Sequence, residues 1–131
     1  MPESRWPRPL VRWSLWSAVM VVWTILLVIP VPDTDGLIGD ISVGRRYLIA
    51  KSVHVLAYAG LIILSAWLHA PPRFRWILVF VIMAHGTVTE LIQREVGRTG
   101  TLDDVGFDNL GVFLGLLLTW KWWTSAATES A

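Results

Sequence analysis

The segment Trp13 to Ile29, WSLWSAVMVVWTILLVI, carries no charged residue on any face. A helix in water needs a polar side, so this run excludes an ordinary soluble bundle helix. Three more apolar runs follow, Tyr47–Leu68, Trp76–Ile92 and Val105–Trp123. Each is about 17–22 residues long, and about 20 helical residues cross a hydrocarbon core of about 30 Å. The hydrophobic fraction of 54% and charged fraction of 16% fit that reading, since soluble domains carry roughly 25% charged residues. The expected fold is all-α: one domain over residues 1–131, a polytopic bundle of four transmembrane helices at roughly 10–29, 47–68, 76–92 and 104–123.

Several alternatives fall away. Arg5, Arg8 and Arg12 would suit the start of a signal peptide, but LLVIPVPDTDG lacks a small-x-small cleavage pattern, so the first helix is expected to be retained. The net charge of +1 argues against nucleic acid, which calls for a broad basic face. The chain has no cysteine, which removes disulfides and thiolate metal sites. His54, His85, Glu90, Asp104 and Asp108 are metal-ligand types, but there is no H-E-x-x-H and no histidine pair at i, i+4. No metal and no cofactor is expected.

Lys and Arg set the orientation. Three arginines precede the first helix and none follows it until Arg45, which places both termini in the cytoplasm of a multi-pass cell-membrane protein. Eight of the ten acids then lie at the outer face. Eight tryptophans, Trp6, Trp13, Trp16, Trp67, Trp76, Trp120, Trp122 and Trp123, lie near the terminal-side interface. An indole suits such a boundary, with an apolar ring and one N–H donor.

The polar residues within the runs share a depth. Lys51, His54 and Tyr58 follow i, i+3, i+7 and form one stripe. Gly86, Glu90 and Gln93 form a stripe on the third helix, with His85 beside it. Asp104, Asp108, Gly111 and Gly115 form one on the fourth. An ionised group at the centre of a membrane helix costs about 2.5–3.5 kcal/mol. Three helices supplying such groups at one level imply an outward-opening pocket in which Lys51, His54 and Arg98 face the acids. A structural ion-pair cluster would have the same pattern. Depth further predicts that Lys51 contacts Glu90 and Asp108.

Other features have plainer readings. GVFLG, Gly111–Gly115, lets the fourth helix pack closely within the chain, with a homodimer as the alternative. Thr101 in TLDD reads as an N-cap, His69 as an interfacial residue, Arg73 and Arg75 as cytoplasmic anchors, and Pro30–Gly44 as a turn-rich segment over the pocket.

KSVHVLAY, Lys51–Tyr58, resembles the K-x-x-H-x-x-x-Y signature of the VanZ-like family. ELIQREVGR, Glu90–Arg98, resembles its E-x-x-Q followed by glycine and arginine, and DVGFDNLGVFLG, Asp104–Gly115, is similar to its D-x-x-x-N-x-x-G-x-x-x-G. The blocks stand in the family's order and cover about half of the chain. Ala50 replaces the acid often found before the lysine, and Asp108 replaces the usual asparagine, with Asn109 next. The resemblance implies a small bacterial integral membrane protein with a cell-envelope role and lowered susceptibility to glycopeptides such as teicoplanin. Members also occur widely outside resistance clusters, and the resemblance implies no catalytic mechanism.

The expected function is therefore to bind or modify an envelope component. Lys51 and Arg98 would engage an anionic group of a lipid, an envelope precursor or a glycopeptide. Glu90, Gln93, Asp104 and Asp108 would orient those cations, with His54 and Tyr58 in the same pocket. A membrane-embedded enzyme using His54 and Glu90 as acid and base, and a subunit whose stripes only hold helices together, are the alternatives.

Overall fold

The computed structural model describes residues 9–29, 42–68, 70–96 and 102–125. They form four helices, α1 (Pro9–Val28), α2 (Val43–Trp67), α3 (Pro72–Glu95) and α4 (Leu102–Ser125). The expectations for Arg98, for Thr101, for His69 and for segment 30–41 lie outside the described residues.

Each helix outruns its apolar core at one end or both. α2 starts at Val43, four residues before the apolar run, and takes Arg45 and Arg46 into its first turn. The backbone N–H groups of both arginines bond to Ser42 O, at 2.9 and 3.2 Å. α3 starts at a proline pair, with Pro71 as N-cap and Pro72 at the first helical position. Proline fits there because its missing N–H would have had no intrahelical partner. α1 stops at Val28, two residues ahead of Pro30, as the restriction on residues before proline favours.

Contacts fix the directions. Lys51, His54, Val55 and Ile62 of α2 meet Asp104, Asp108, Gly111 and Gly115 of α4 in that order, so α2 and α4 run parallel. Trp16 meets Ser65 while Trp23 meets His54, so α1 runs against α2. Thr24 meets His85 and Leu27 meets Gln93, so α3 runs with α1. α2 and α4 form the most extensive contact in the molecule, and α1 packs on α2 and α3.

The α2–α4 seam is close because two glycines line it. A Cβ on Gly115 would lie 2.8 Å from Ala59 O and 2.7 Å from the Ile62 Cβ. One on Gly111 would run into Val55 O and lie 3.0 Å from the Tyr58 Cβ. The G-x-x-x-G face is therefore occupied by α2 of the same chain, and a homodimer would need another surface.

Burial is inverted relative to a soluble protein. Leu56, Phe80 and Leu118 are 70%, 72% and 75% exposed, while Lys51, Glu90, Asp104 and Asp108 are buried. Exposed apolar area on this scale marks a surface made for something other than water. α1, α2 and α3, with mean hydropathy of 1.7, 1.8 and 1.5, are long and apolar enough to cross a membrane. α4 matches them in length at 24 residues. It differs in composition, because Asp103, Asp104, Asp108, Asn109 and Lys121 all fall within it.

An apolar core fills the end of the bundle away from the N-terminus of α2. It comprises Leu61, Ile62, Leu78, Val79, Ile82, Val112 and Trp123, with Trp16 from α1. Arg75 ties this end together. Its Nε donates to Ala70 O at 2.7 Å, and its Nη1 to Trp122 O and Trp123 O, each at 3.0 Å. Those are carbonyls of the last turns of α4, which otherwise lack intrahelical donors. Arg75 is thus an internal cap on a neighbouring helix.

Candidate functional site

The stripes of α2, α3 and α4 meet in the opposite half of the bundle. Parallel packing in register explains how. Steps of three and four residues on α2, from 51 to 54 to 58, match steps of four and three on α4, from 104 to 108 to 111, so each polar residue of α2 finds an aspartate or a glycine opposite. The first rung is the ion pair of Lys51 Nζ with Asp104 Oδ1. The second is His54 Nδ1–H donating to Asp108 Oδ1 at 2.7 Å. One turn further, Tyr58 is fully buried beside Gly111.

Lys51 is 8% exposed and sits between two aromatic rings, with Nζ 4.9 Å from the Tyr47 centroid and 5.6 Å from that of Phe107. Ring faces attract an ammonium electrostatically. The expected contact of Lys51 with Glu90 and Asp108 is not made. Its partner is Asp104, because side-chain direction and helix rotation select the aspartate one turn earlier on α4, while Asp108 is taken by His54.

His85 extends the network inward. The Thr24 hydroxyl donates to Met20 O at 2.8 Å, so it accepts from His85 Nε2–H, also at 2.8 Å. A neutral ring protonated at Nε2 has an acceptor at Nδ1. That nitrogen receives the Tyr58 hydroxyl at 3.0 Å. Gly86 makes room for this junction. A Cβ there would come within 2.8 Å of Asp108 Oδ2 and 3.3 Å of the Tyr58 hydroxyl.

Glu90 and Gln93 lie on the same face of α3 as Gly86 and are 3% and 5% exposed. Gln93 Nε2 donates to Leu27 O of α1 at 2.9 Å. Its donor therefore serves α1. Glu90 lies within Coulombic reach of Asp104, Asp108, Arg94 and His54, and its Oε1 is buried without a hydrogen-bond partner. His54 pairs with Asp108, so the expected His54/Glu90 acid–base couple is not hydrogen-bonded. Among the described residues, no three His, Asp or Glu side chains are arranged to hold a metal ion.

Sequence reasoning missed the part played by α1. Trp23 packs edge-on to His54 and to Tyr58, with ring centroids 6.0 and 6.3 Å apart, and Thr24 and the Leu27 carbonyl supply hydrogen bonds. Trp23 carried a signal: it is the ninth tryptophan, away from the eight near the chain-terminal end. The Leu27 carbonyl carried none, since every residue has one.

Beside Lys51, a groove of about 350 Å³ opens along the α2–α4 flank, lined by Leu48, Ser52, Val55, Leu56, Leu110 and the two aromatic residues already named. Lys51 supplies its charge; the rest is largely apolar. No family model matches this chain, and no curated protein or solved structure matches it either.

Proposed function

We propose that the chain is a four-span cell-membrane protein of the VanZ-like kind. Both termini are cytoplasmic, and the polar half of the bundle lies at the outer face. There it binds an envelope component through an anionic group, a lipid phosphate or a carboxylate. Lowered glycopeptide susceptibility would be one consequence of holding such a component.

The observation that supports this reading is the arrangement around Lys51. Its ammonium has three donors, and Asp104 occupies one. The remaining capacity faces an apolar groove of a size to take part of an acyl chain, with Tyr47 and Phe107 framing the charge. α4 spans in this reading because Asp104 and Asp108 are buried against α2 and α3, while Asp103 is exposed in the first turn.

Native mass spectrometry of the detergent-purified chain with phosphatidylglycerol tests the proposal. Lys51→Met with Asp104→Asn removes the cation while keeping the pair neutral, and it should abolish retention of the lipid. The orientation is checked in intact cells with single cysteines at Thr99 and Ser125, which have no native cysteine to compete with. Cysteine at 99 should react with an impermeant thiol reagent and cysteine at 125 should not. Unchanged lipid retention in the double variant, or the reverse labelling, would overturn the proposal.

The hydrogen bond from His54 to Asp108 favours a second reading, a membrane-embedded acid–base catalyst in which Asp108 orients His54. In that case His54→Gln abolishes turnover of the component with its binding intact.

A further inference from the structure

Glu90 differs from the other charged groups of the polar half in having an unused acceptor. It is 97% buried and its Oε1 has no donor. Charged and titratable neighbours come from three elements. α2 contributes His54, α4 contributes Asp104 and Asp108, and α3 itself contributes Arg94; Asp104 also pairs with Lys51 of α2. α1 packs on this half through Trp23, against His54, and Thr24, against His85, and neither ionises in the usual range. Lys51 is engaged by Asp104, His54 by Asp108, and His85 by Tyr58 and Thr24. Arg94 is exposed, one turn further along α3.

A buried carboxylate oxygen without a donor is costly, and the deficit grows when two more carboxylates lie within Coulombic reach. The group that best removes it brings a positive charge and N–H donors together. A metal ion fits poorly, because the carboxylates do not converge as ligands among the described residues.

We infer that Glu90 receives a primary ammonium group of the bound component, so that the component is zwitterionic, with its anion at Lys51 and its amine at Glu90. This rests on the reading of Lys51 given above. An ethanolamine-type phospholipid headgroup has this chemistry. A choline headgroup does not, because its quaternary nitrogen has no N–H to give.

The test uses the full-length chain in detergent and short-chain phosphatidylethanolamine, phosphatidylcholine and phosphatidylglycerol, with binding read by native mass spectrometry. Phosphatidylethanolamine should bind roughly tenfold more tightly than phosphatidylcholine, the scale of one charge-assisted hydrogen bond. Glu90→Gln should erase that preference, and Gly60→Ala, at an open position, should keep it. Equal binding of the ethanolamine and choline lipids by the wild-type chain overturns the inference. That comparison stands even where Glu90→Gln fails to purify. Phosphatidylglycerol binding that still depends on the Lys51–Asp104 pair would then leave the proposed function in place, whereas no binding of any of the three lipids overturns both. Free ethanolamine is the remaining arm. Binding of ethanolamine alone, lost in Glu90→Gln, supports the ammonium site and overturns the lipid as its source.

Discussion

The two halves of the bundle use the same four helices and opposite chemistry. Around Trp16, Ser65, Thr119 and Trp123, buried polar groups are few and close on their own surroundings. Trp16 Nε1 donates to Ser65 Oγ at 2.8 Å, and Ser65 in turn to Leu61 O at 2.7 Å. Trp123 Nε1 donates to Thr119 Oγ1, which donates to Gly115 O, each at 2.7 Å. Around Lys51, His54, Glu90 and Asp108 the groups are ionisable, join different helices, and leave the Glu90 oxygen unmet. One half spends its polarity on fixing helices together. The other leaves a buried acceptor without a donor.

The largest effect should come from breaking the first rung. Lys51→Met removes one member of the buried pair with Asp104, a change that costs about 3–5 kcal/mol. Adding Asp104→Asn should recover part of it, because the two residues are coupled. Unfolding midpoints in detergent measure this. Recovery with Glu90→Gln or Asp108→Asn instead would restore the pairing expected from depth and refute the ladder described above.

A smaller loss is expected at the seam that runs through both halves. Gly111→Ala and Gly115→Ala push a methyl group into backbone carbonyls of α2, where overpacking costs about 1–3 kcal/mol. Gly106→Ala, with nothing within 4 Å, is the control and should be neutral or slightly stabilising. Equal midpoints for the three variants would mean that the parallel α2–α4 contact is not what holds the bundle.

The smallest effect sharpens the contrast most. Glu90→Gln, in the absence of lipid, should leave the midpoint unchanged or raise it, because it removes a charge and breaks no hydrogen bond to Oε1. Asp108→Asn, which weakens the bond from His54, should lower it. A Glu90→Gln loss as large as that of Lys51→Met would show that the carboxylate is structural and that both halves are scaffold.

Much of this was legible in the sequence, and the remainder has identifiable causes. The apolar runs located all four helices, with ends displaced by a few residues because terminal turns carry charge as readily as loops do. The stripes were legible because helical periodicity is a property of one chain segment. Pairing was not. Lys51 meets Asp104 and not Asp108 because partner choice depends on the rotation and offset of two helices, and one turn of offset changes every partner. Depth alone cannot resolve that. α1 was read as a bare hydrophobic helix, since a threonine and a backbone carbonyl acquire a role only once α3 lies beside them.

The separation of α2 from α4 along the chain has a consequence for biogenesis. Lys51 and Asp104 are 53 residues apart, so a ribosome finishes α2 well before the partner of its lysine exists. During that interval the Lys51 ammonium lacks the carboxylate it pairs with in the folded chain. Synthesis of α4 supplies both Asp104 and Phe107, two of the groups that surround the ammonium. The surroundings of Lys51 are therefore complete only once α4 has joined α2.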